Sequence, residues 1–218
     1  GRWGTKAALP GCCPPRSVTA NAPRARHTIA VAQVERILLG ARGRGLDVDR
    51  LLESAGIAPA LLASPLSRVM QAQYVRLTHL LRHRLRDELW GLCGRPVPPG
   101  AFAQTCRVLV GCRTLGEALE IGLRQYRLLI DDFTPRLQRQ GDLACVSVAP
   151  RRPFDPKLAH AQRVFCFLAY GLASWLVGRR IPLLSVNYPA SPPGPVSEAA
   201  LVFQAPIQYG GQRMAWYF

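Results

Sequence analysis

Apolar residues recur at helical spacing through the first half of the chain, and charged residues fall between them. Between residues 71 and 85 one face holds Tyr74, Leu77, Leu80, Leu81 and Leu85, while arginine and histidine side chains lie mostly on the others. N-caps, glycines and prolines mark the ends of such segments. The pattern predicts helices over 28–43, 47–55, 71–85, 102–110 and 114–130, a short turn after Pro59 and another over 87–93.

The helix predicted over 114–130 has the clearest start signal. In Thr114-Leu115-Gly116-Glu117 a hydroxyl and a carboxylate stand three residues apart, as in a capping box, where each side chain accepts a hydrogen bond from a free backbone N–H. Leu119, Tyr126 and Leu129 then share one face with small residues between them. We expect this face to pack on the core.

A long helix beginning near Lys157 is apolar almost all round between Val164 and Val177. A surface helix has one apolar stripe, so this pattern predicts cover on several sides. The uncharged stretch is shorter than the roughly 18–20 residues that span a bilayer, and Arg163 and Arg179 bracket it. We therefore expect this helix to form the centre of a core, with no membrane contact.

Short β-type segments follow the helices. A hairpin is predicted around the turn Gln140-Gly141-Asp142, and Pro135 suits an edge strand. The pattern predicts strands over 133–139, 143–148, 183–188, 207–209 and 214–218, a loop over 191–195 and a short helix over 196–203.

The order of elements predicts an α+β fold. A helical N-terminal half precedes a small, mostly antiparallel sheet packed on the long buried helix, in the order helices, ββαβ, αββ. Residues 1–27 hold scattered Pro, Arg and Gly, which is typical of a flexible tail. We expect one domain over 28–218, with a helical part over 28–113 and an α/β part over 114–218.

The formal net charge of +15 comes almost entirely from arginine, because Lys6 and Lys157 are the only lysines. Arginine codons are GC-rich, so the composition of the genome accounts for part of this charge. The charge also allows contact with nucleic acid. Two short helices around a Gly-rich turn resemble a helix-turn-helix, but acids outnumber bases over 47–53, which favours a helical hairpin instead.

Motifs for catalysis are absent from the sequence. It has no P-loop, G-x-G-x-x-G, G-x-S-x-G or H-E-x-x-H pattern, and its seven cysteines form no C-x-x-C pair. His79 and His83 stand at metal-ligand spacing without an evident third ligand. Asp131-Asp132 is either an acid pair or, as we favour, a solvated loop end. The sequence thus predicts neither an enzyme nor a cofactor nor a metal site.

Aromatic side chains supply the one candidate binding site. Mostly apolar pockets with a few polar groups are how proteins hold small ligands. The alternative is that these rings pack only against one another. The candidate ligand-binding residues, between the long helix and the sheet, are Tyr126, Phe133, Phe165, Phe167, Tyr170 and Trp175.

Four segments resemble one protein family. GLDVDRLLESAGI (45–57), the pair Leu61–Leu62, LGEALEIGLRQYRLL (115–129) and ALVFQAPIQYGGQRMAWYF (200–218) resemble, in this order, the N-terminal regulatory domain of AraC/XylS-type bacterial transcription regulators. The likeness is to the arabinose-binding-domain-like branch of the ornithine-utilisation type. In that family a C-terminal domain with two helix-turn-helix units binds DNA, and this region is expected outside the present chain.

The resemblance implies a sensor without chemistry of its own. It implies an unknown small-molecule effector, a homodimer, a cytoplasmic location, and DNA binding only through the C-terminal domain absent from this chain. No catalytic residue carries over. A different class of function stays open: a stand-alone basic module that contacts nucleic acid directly, which would show steep salt dependence.

Overall fold

The computed structural model describes residues 28–153, 155–189, 198–211 and 213–218. The tail predicted over 1–27, the loop predicted over 191–195 and the first two residues of the helix predicted from Val196 lie outside these described residues.

The fold is α+β, as predicted, and most helices precede the main sheet. A 3₁₀ turn over Pro59–Ala63 follows the second helix. The helices are α1 (Val31–Gly43), α2 (Val48–Ser54), α3 (Gln71–Leu85), α4 (Ala101–Val110), α5 (Leu115–Leu129), α6 (Pro156–Leu176) and α7 (Glu198–Phe203).

In the described part of the chain, seven strands form two sheets. A two-stranded sheet pairs β1 and β2, and a five-stranded sheet has the order β3-β4-β7-β5-β6. All neighbours are antiparallel except β5 and β6. The strands are β1 (Thr28–Ala30), β2 (Arg68–Met70), β3 (Phe133–Gln140), β4 (Leu143–Pro150), β5 (Ser185–Tyr188), β6 (Ile207–Tyr209) and β7 (Met214–Tyr217).

The start of the first helix differs from the prediction. Thr28 does not cap a helix; it pairs with Met70 at the end of the small sheet, and α1 begins at Val31. The Arg68 side chain donates to the Thr28 hydroxyl at 2.6 Å and holds this pairing. Strands of three residues are too short to show alternation, so the pattern carries no signal for them.

Local signals fix the two long helices that follow. Thr114 caps α5 by accepting from the Glu117 N–H at 3.1 Å, while the Glu117 carboxylate accepts from Arg113 N at 2.9 Å. In α6, Asp155 accepts from Leu158 N at 2.7 Å. These caps satisfy backbone donors that the first helical turn leaves free.

Among the described residues, the buried apolar side chains form two hydrophobic clusters. The first is built on α1, α2 and α3, and the second packs α4, α5 and α6 against the five-stranded sheet. Helix α6 contacts β4 and β7 on its sheet side and α1, α4 and α5 elsewhere. Trp90 is packed against both clusters and therefore joins them.

Asp131 and Asp132 have different environments, so the expected solvated pair is only half right. Asp131 is exposed, whereas Asp132 is 6% exposed and accepts from Arg152 Nε at 2.6 Å and from Gly94 N at 2.8 Å. Burial of this carboxylate is tolerated because both oxygens have partners.

A buried polar group lies where α1 meets α6. Arg163 donates to Gln33 and contacts His160 Nδ1 at 3.1 Å. His160 Nε2 is buried and has no hydrogen-bond partner. Burial, together with the nearby Arg163 and Arg36, lowers the pKa of His160 from 6.5 to about 3. The folded chain thus holds this imidazole neutral.

This histidine should make the fold acid-sensitive. In the unfolded chain His160 takes up its proton at a higher pH than in the folded chain, so its stabilisation is complete above about pH 7 and falls as the pH drops towards 3. Between pH 7 and pH 5 we expect a loss of about 2 kcal/mol in the free energy of unfolding. Urea titrations at several pH values measure this loss. Below pH 7 the free energy of unfolding should fall less steeply in His160→Gln than in the parent. An equally steep fall in both would show that His160 is not the cause of the acid sensitivity.

Candidate functional site

A cleft of about 1290 Å³ opens along the side of α6 that faces α3, α4 and α5. Small-molecule sites usually hold roughly 300–1,000 Å³, so this cleft can take a sizeable ligand. Its buried floor is apolar and includes Leu109, Leu119 and Phe165.

Helix α5 supplies one wall at a spacing of four residues, with Ala118, Gly122 and Tyr126 on the face towards the cleft. A Cβ atom at Gly122 would lie 3.0 Å from Leu109 Cδ1, so the absence of a side chain allows α4 and α5 to approach closely. The wall is therefore smooth near its centre and ends at the Tyr126 ring.

The loop between α3 and α4 is held by a buried carboxylate. Asp87 is 1% exposed; its Oδ1 accepts from Leu89 N at 2.9 Å and Val97 N at 2.8 Å, and its Oδ2 accepts from Gly91 N at 2.8 Å. Three N–H donors to one side chain fix the path of the loop. This path brings Trp90 to the cleft.

Among the described residues that line the cleft, Glu88 is the only acid. Its Oε1 accepts from Gly100 N at 2.7 Å and its Oε2 accepts from Phe102 N at 2.8 Å. These are donors at the start of α4, whose first turn lacks other partners for them. Glu88 is thus engaged in holding the fold.

One edge of the cleft is strongly basic. Exposed residues at the C-terminal end of α3 form this edge, which we call the basic rim: His79, Arg82, His83, Arg84 and Arg86. The ion pairs that the described residues form involve Arg95, Arg139 and Arg152, and none includes a residue of the basic rim.

Helix α6 contributes an apolar part of the lining, which we call the leucine stripe: Leu168, Leu172 and Leu176. Leu168 is 41% exposed. The sequence predicted that α6 is covered on several sides, and this holds for Phe165 and Tyr170, which are buried. The leucine stripe, by contrast, faces the open cleft.

Two of the six predicted ligand-binding residues line this cleft. Tyr126 and Phe165 do so, with ring centroids 5.1 Å apart. Burial is the largest cause that raises the pKa of the Tyr126 phenol, and a hydrogen bond with Thr105 opposes it. Tyr126 therefore stays a neutral hydroxyl at the edge of an apolar surface.

The other four predicted residues lie away from the described cleft lining. Phe133 is fully buried against Phe165, while Phe167 and Tyr170 each contact Phe203 at 5.2 Å between ring centroids. The Tyr170 hydroxyl donates to a backbone carbonyl at 2.8 Å. Trp175 is 64% exposed. The alternative that rings pack on one another describes the buried Phe133 and Tyr170 and the partly buried Phe167. A ligand contact at any of the four stays a prediction.

Sequence reasoning missed the basic rim and the leucine stripe. The pattern places the basic residues of α3 away from its apolar face and carries no further signal for a site. The all-round apolar pattern of α6 did carry a signal, because Leu168, Leu172 and Leu176 recur every four residues. Only the packing of α3 opposite α6 shows that the two faces border one space.

Burial raises the pKa of the thiols of Cys93, Cys145 and Cys166. A protonated thiol is a weak nucleophile and a weak metal ligand. Within the described ranges, no three His, Cys, Asp or Glu side chains gather as a metal site would need. Likewise, none of the helices in the described part of the chain is long and apolar enough to cross a membrane.

The family model of the N-terminal arabinose-binding domain of AraC transcription regulators matches residues 45–218, which is well over half of the chain. The chain therefore belongs to this family of regulatory domains of transcription regulators. No curated protein matches the chain.

A solved structure, that of the transcriptional regulator CdpR from Pseudomonas aeruginosa, is 18% identical in sequence. The match covers 78% of this chain and 53% of CdpR, with a TM-score of 0.37. The chain thus spans about half the length of this relative.

Proposed function

We propose that this domain senses a small-molecule effector in the cleft between α6 and helices α3, α4 and α5, and that effector binding controls a DNA-binding domain of the same cytoplasmic regulator. The observation that carries the proposal is the large apolar cleft with a charged edge in a domain of a regulator family. DNA contact is made by the attached domain and not by this one.

The proposed control is a shift between two conformations. A ligand that binds one state more tightly moves the equilibrium towards that state by its difference in affinity. Trp90 lines the cleft and also packs against both hydrophobic clusters, so occupancy of the cleft is transmitted to the helical part. Self-association as a homodimer would pass this shift to paired DNA-binding domains.

A thermal-shift screen with amino acids, fatty acids, aromatic acids and arabinose tests the cleft. A ligand present at 100 times its Kd adds about 2.7 kcal/mol of stability. For a domain of this size, that corresponds to a rise of about 5–10 °C in Tm. We expect Ala169→Trp, which fills the cleft from α6, to abolish the shift.

Gly171→Trp is the matched control, because Gly171 is exposed, does not line the described cleft and has open space at its Cβ position. This variant should keep the full response. A different result would contradict the cleft proposal: Ala169→Trp leaves the affinity of a stabilising ligand unchanged, while Phe167→Ala or Tyr170→Ala lowers it. The site would then lie on the sheet side of α6.

A further inference from the structure

The positive charge of the basic rim exceeds what the helix dipole and the carboxylates of the described residues neutralise. Basic side chains in the last turn of a helix offset its dipole, but the dipole amounts to only about half an elementary charge. Arg82, Arg84 and Arg86 alone carry three formal charges, and the described structure pairs none of them with a carboxylate. Glu88, the only acid of the described lining, is engaged by Gly100 and Phe102. The rim is thus suited to an anion.

The interior of the cleft is suited to hydrocarbon. Two of its polar side chains are already hydrogen-bonded: Thr105 Oγ1 donates to the Ala101 carbonyl at 2.9 Å, and Tyr126 shares a hydrogen bond with Thr105. A sugar placed here would bring hydroxyl groups that find no partners, and buried polar groups without partners weaken binding. The leucine stripe and Phe165 instead offer apolar surface.

Charge and apolar surface border one open space and come from two different helices. The basic rim comes from α3, and the leucine stripe comes from α6. A ligand that satisfies both must have an anionic end and an apolar body. A free sugar or a small polar amino acid has no apolar body to cover the leucines.

We propose that the effector is an amphipathic carboxylic acid, with its carboxylate at Arg82 and Arg86 and its aliphatic or aryl-alkyl body against Phe165 and the leucine stripe. This inference rests on the proposed function and specifies the ligand class for the same cleft. Arginine binds carboxylates in a fork geometry that lysine does not offer, and both Arg82, in the last turn of α3, and Arg86, at the C-cap of α3, line the cleft.

A chain-length series tests the apolar part. Hexanoate, octanoate and decanoate are titrated into the 218-residue chain by isothermal titration calorimetry. Each added methylene that leaves water should tighten binding about fourfold. Decanoate binding should disappear in Ala169→Trp and persist in Gly171→Trp. An affinity that does not change with chain length, or decanoate binding that survives Ala169→Trp, would overturn the proposed orientation in the cleft.

A charge comparison tests the anionic part. Decanoate should bind at least tenfold more tightly than 1-decanol, and Arg82→Gln combined with Arg86→Gln should remove this preference while leaving decanol affinity unchanged. Arg76→Gln is the control, because Arg76 lies on the side of α3 next to Gly56 and does not line the described cleft. Equal affinity for the acid and the alcohol in the parent chain would overturn the proposal.

The two proposals can fail separately. If no acid of the series binds but another compound does, and Ala169→Trp blocks that compound, the ligand class is wrong and the sensing cleft stands. If arabinose binds and Ala169→Trp abolishes its binding, the proposed ligand class is again wrong and the sensing cleft again stands. If stabilising compounds are found and none responds to Ala169→Trp, both proposals are overturned.

Discussion

Replacing Gly40 by alanine should lower the free energy of unfolding by about 2–4 kcal/mol, although alanine is the better helix former by about 1 kcal/mol. A Cβ atom at Gly40 would lie 1.9 Å from the carbonyl oxygen of Trp90 and 2.6 Å from the carbonyl carbon of Gly91. Both are backbone atoms, which cannot rotate away as a side chain would. The loop between α3 and α4 must therefore move away from α1.

Urea unfolding measures this loss, and Tm should fall by about 5–15 °C. Gly43→Ala is the matched control in the same helix, because its Cβ would meet only the flexible end of Lys157 at 4.0 Å. We expect this control to be neutral or slightly stabilising. A Gly40→Ala chain within about 0.5 kcal/mol of its parent would show that α1 does not press on this loop.

The same substitution should also weaken effector binding. Trp90 lines the cleft, and its carbonyl is the atom that the new methyl group displaces. Gly91 has φ of +75°, a conformation that favours glycine, so the loop has little freedom to absorb the shift elsewhere. Movement of the loop therefore changes the wall of the cleft. Measuring affinity well below the Tm of the variant separates this loss of effector binding from the loss of stability.

Most elements were predictable because their signals are local. The capping residues of α5, the hairpin around Gly141 and the length of α6 follow from residues a few positions apart. The pairing of Thr28 with Met70 was not predictable, since it joins two very short strands that lie far apart in the sequence. Pairings of this kind depend on tertiary packing.

The candidate site was only partly predictable for a related reason. Ring-rich segments pointed to Tyr126 and Phe165 correctly as neighbours, but rings also fill cores, as Phe133 and Tyr170 do. Sequence spacing shows which residues share a face of one helix. It does not show that the face with Arg82 lies across a cleft from the face with Leu172.

The second large effect concerns the Asp87 carboxylate, which holds the loop between α3 and α4. Asp87→Asn should lower the free energy of unfolding by about 2–4 kcal/mol. The carboxylate accepts from three N–H groups through two oxygens. In asparagine one oxygen becomes an amide NH₂. Even if the remaining oxygen stays with Leu89 and Val97, the NH₂ group meets the Gly91 N–H, and two donors face each other in a buried site.

Asp131→Asn is the matched control for Asp87→Asn. Asp131 is exposed, and its ion pair with Arg95, at 3.8 Å, contributes little stability in water. Urea titrations should place the control within about 0.5 kcal/mol of the parent. Amide hydrogen exchange gives a local measure, since the N–H groups of Leu89, Gly91 and Val97 should exchange faster in Asp87→Asn than in the control. If the two variants were equally stable and these amides stayed protected, the loop would be held by the packing of Trp90 and not by the carboxylate.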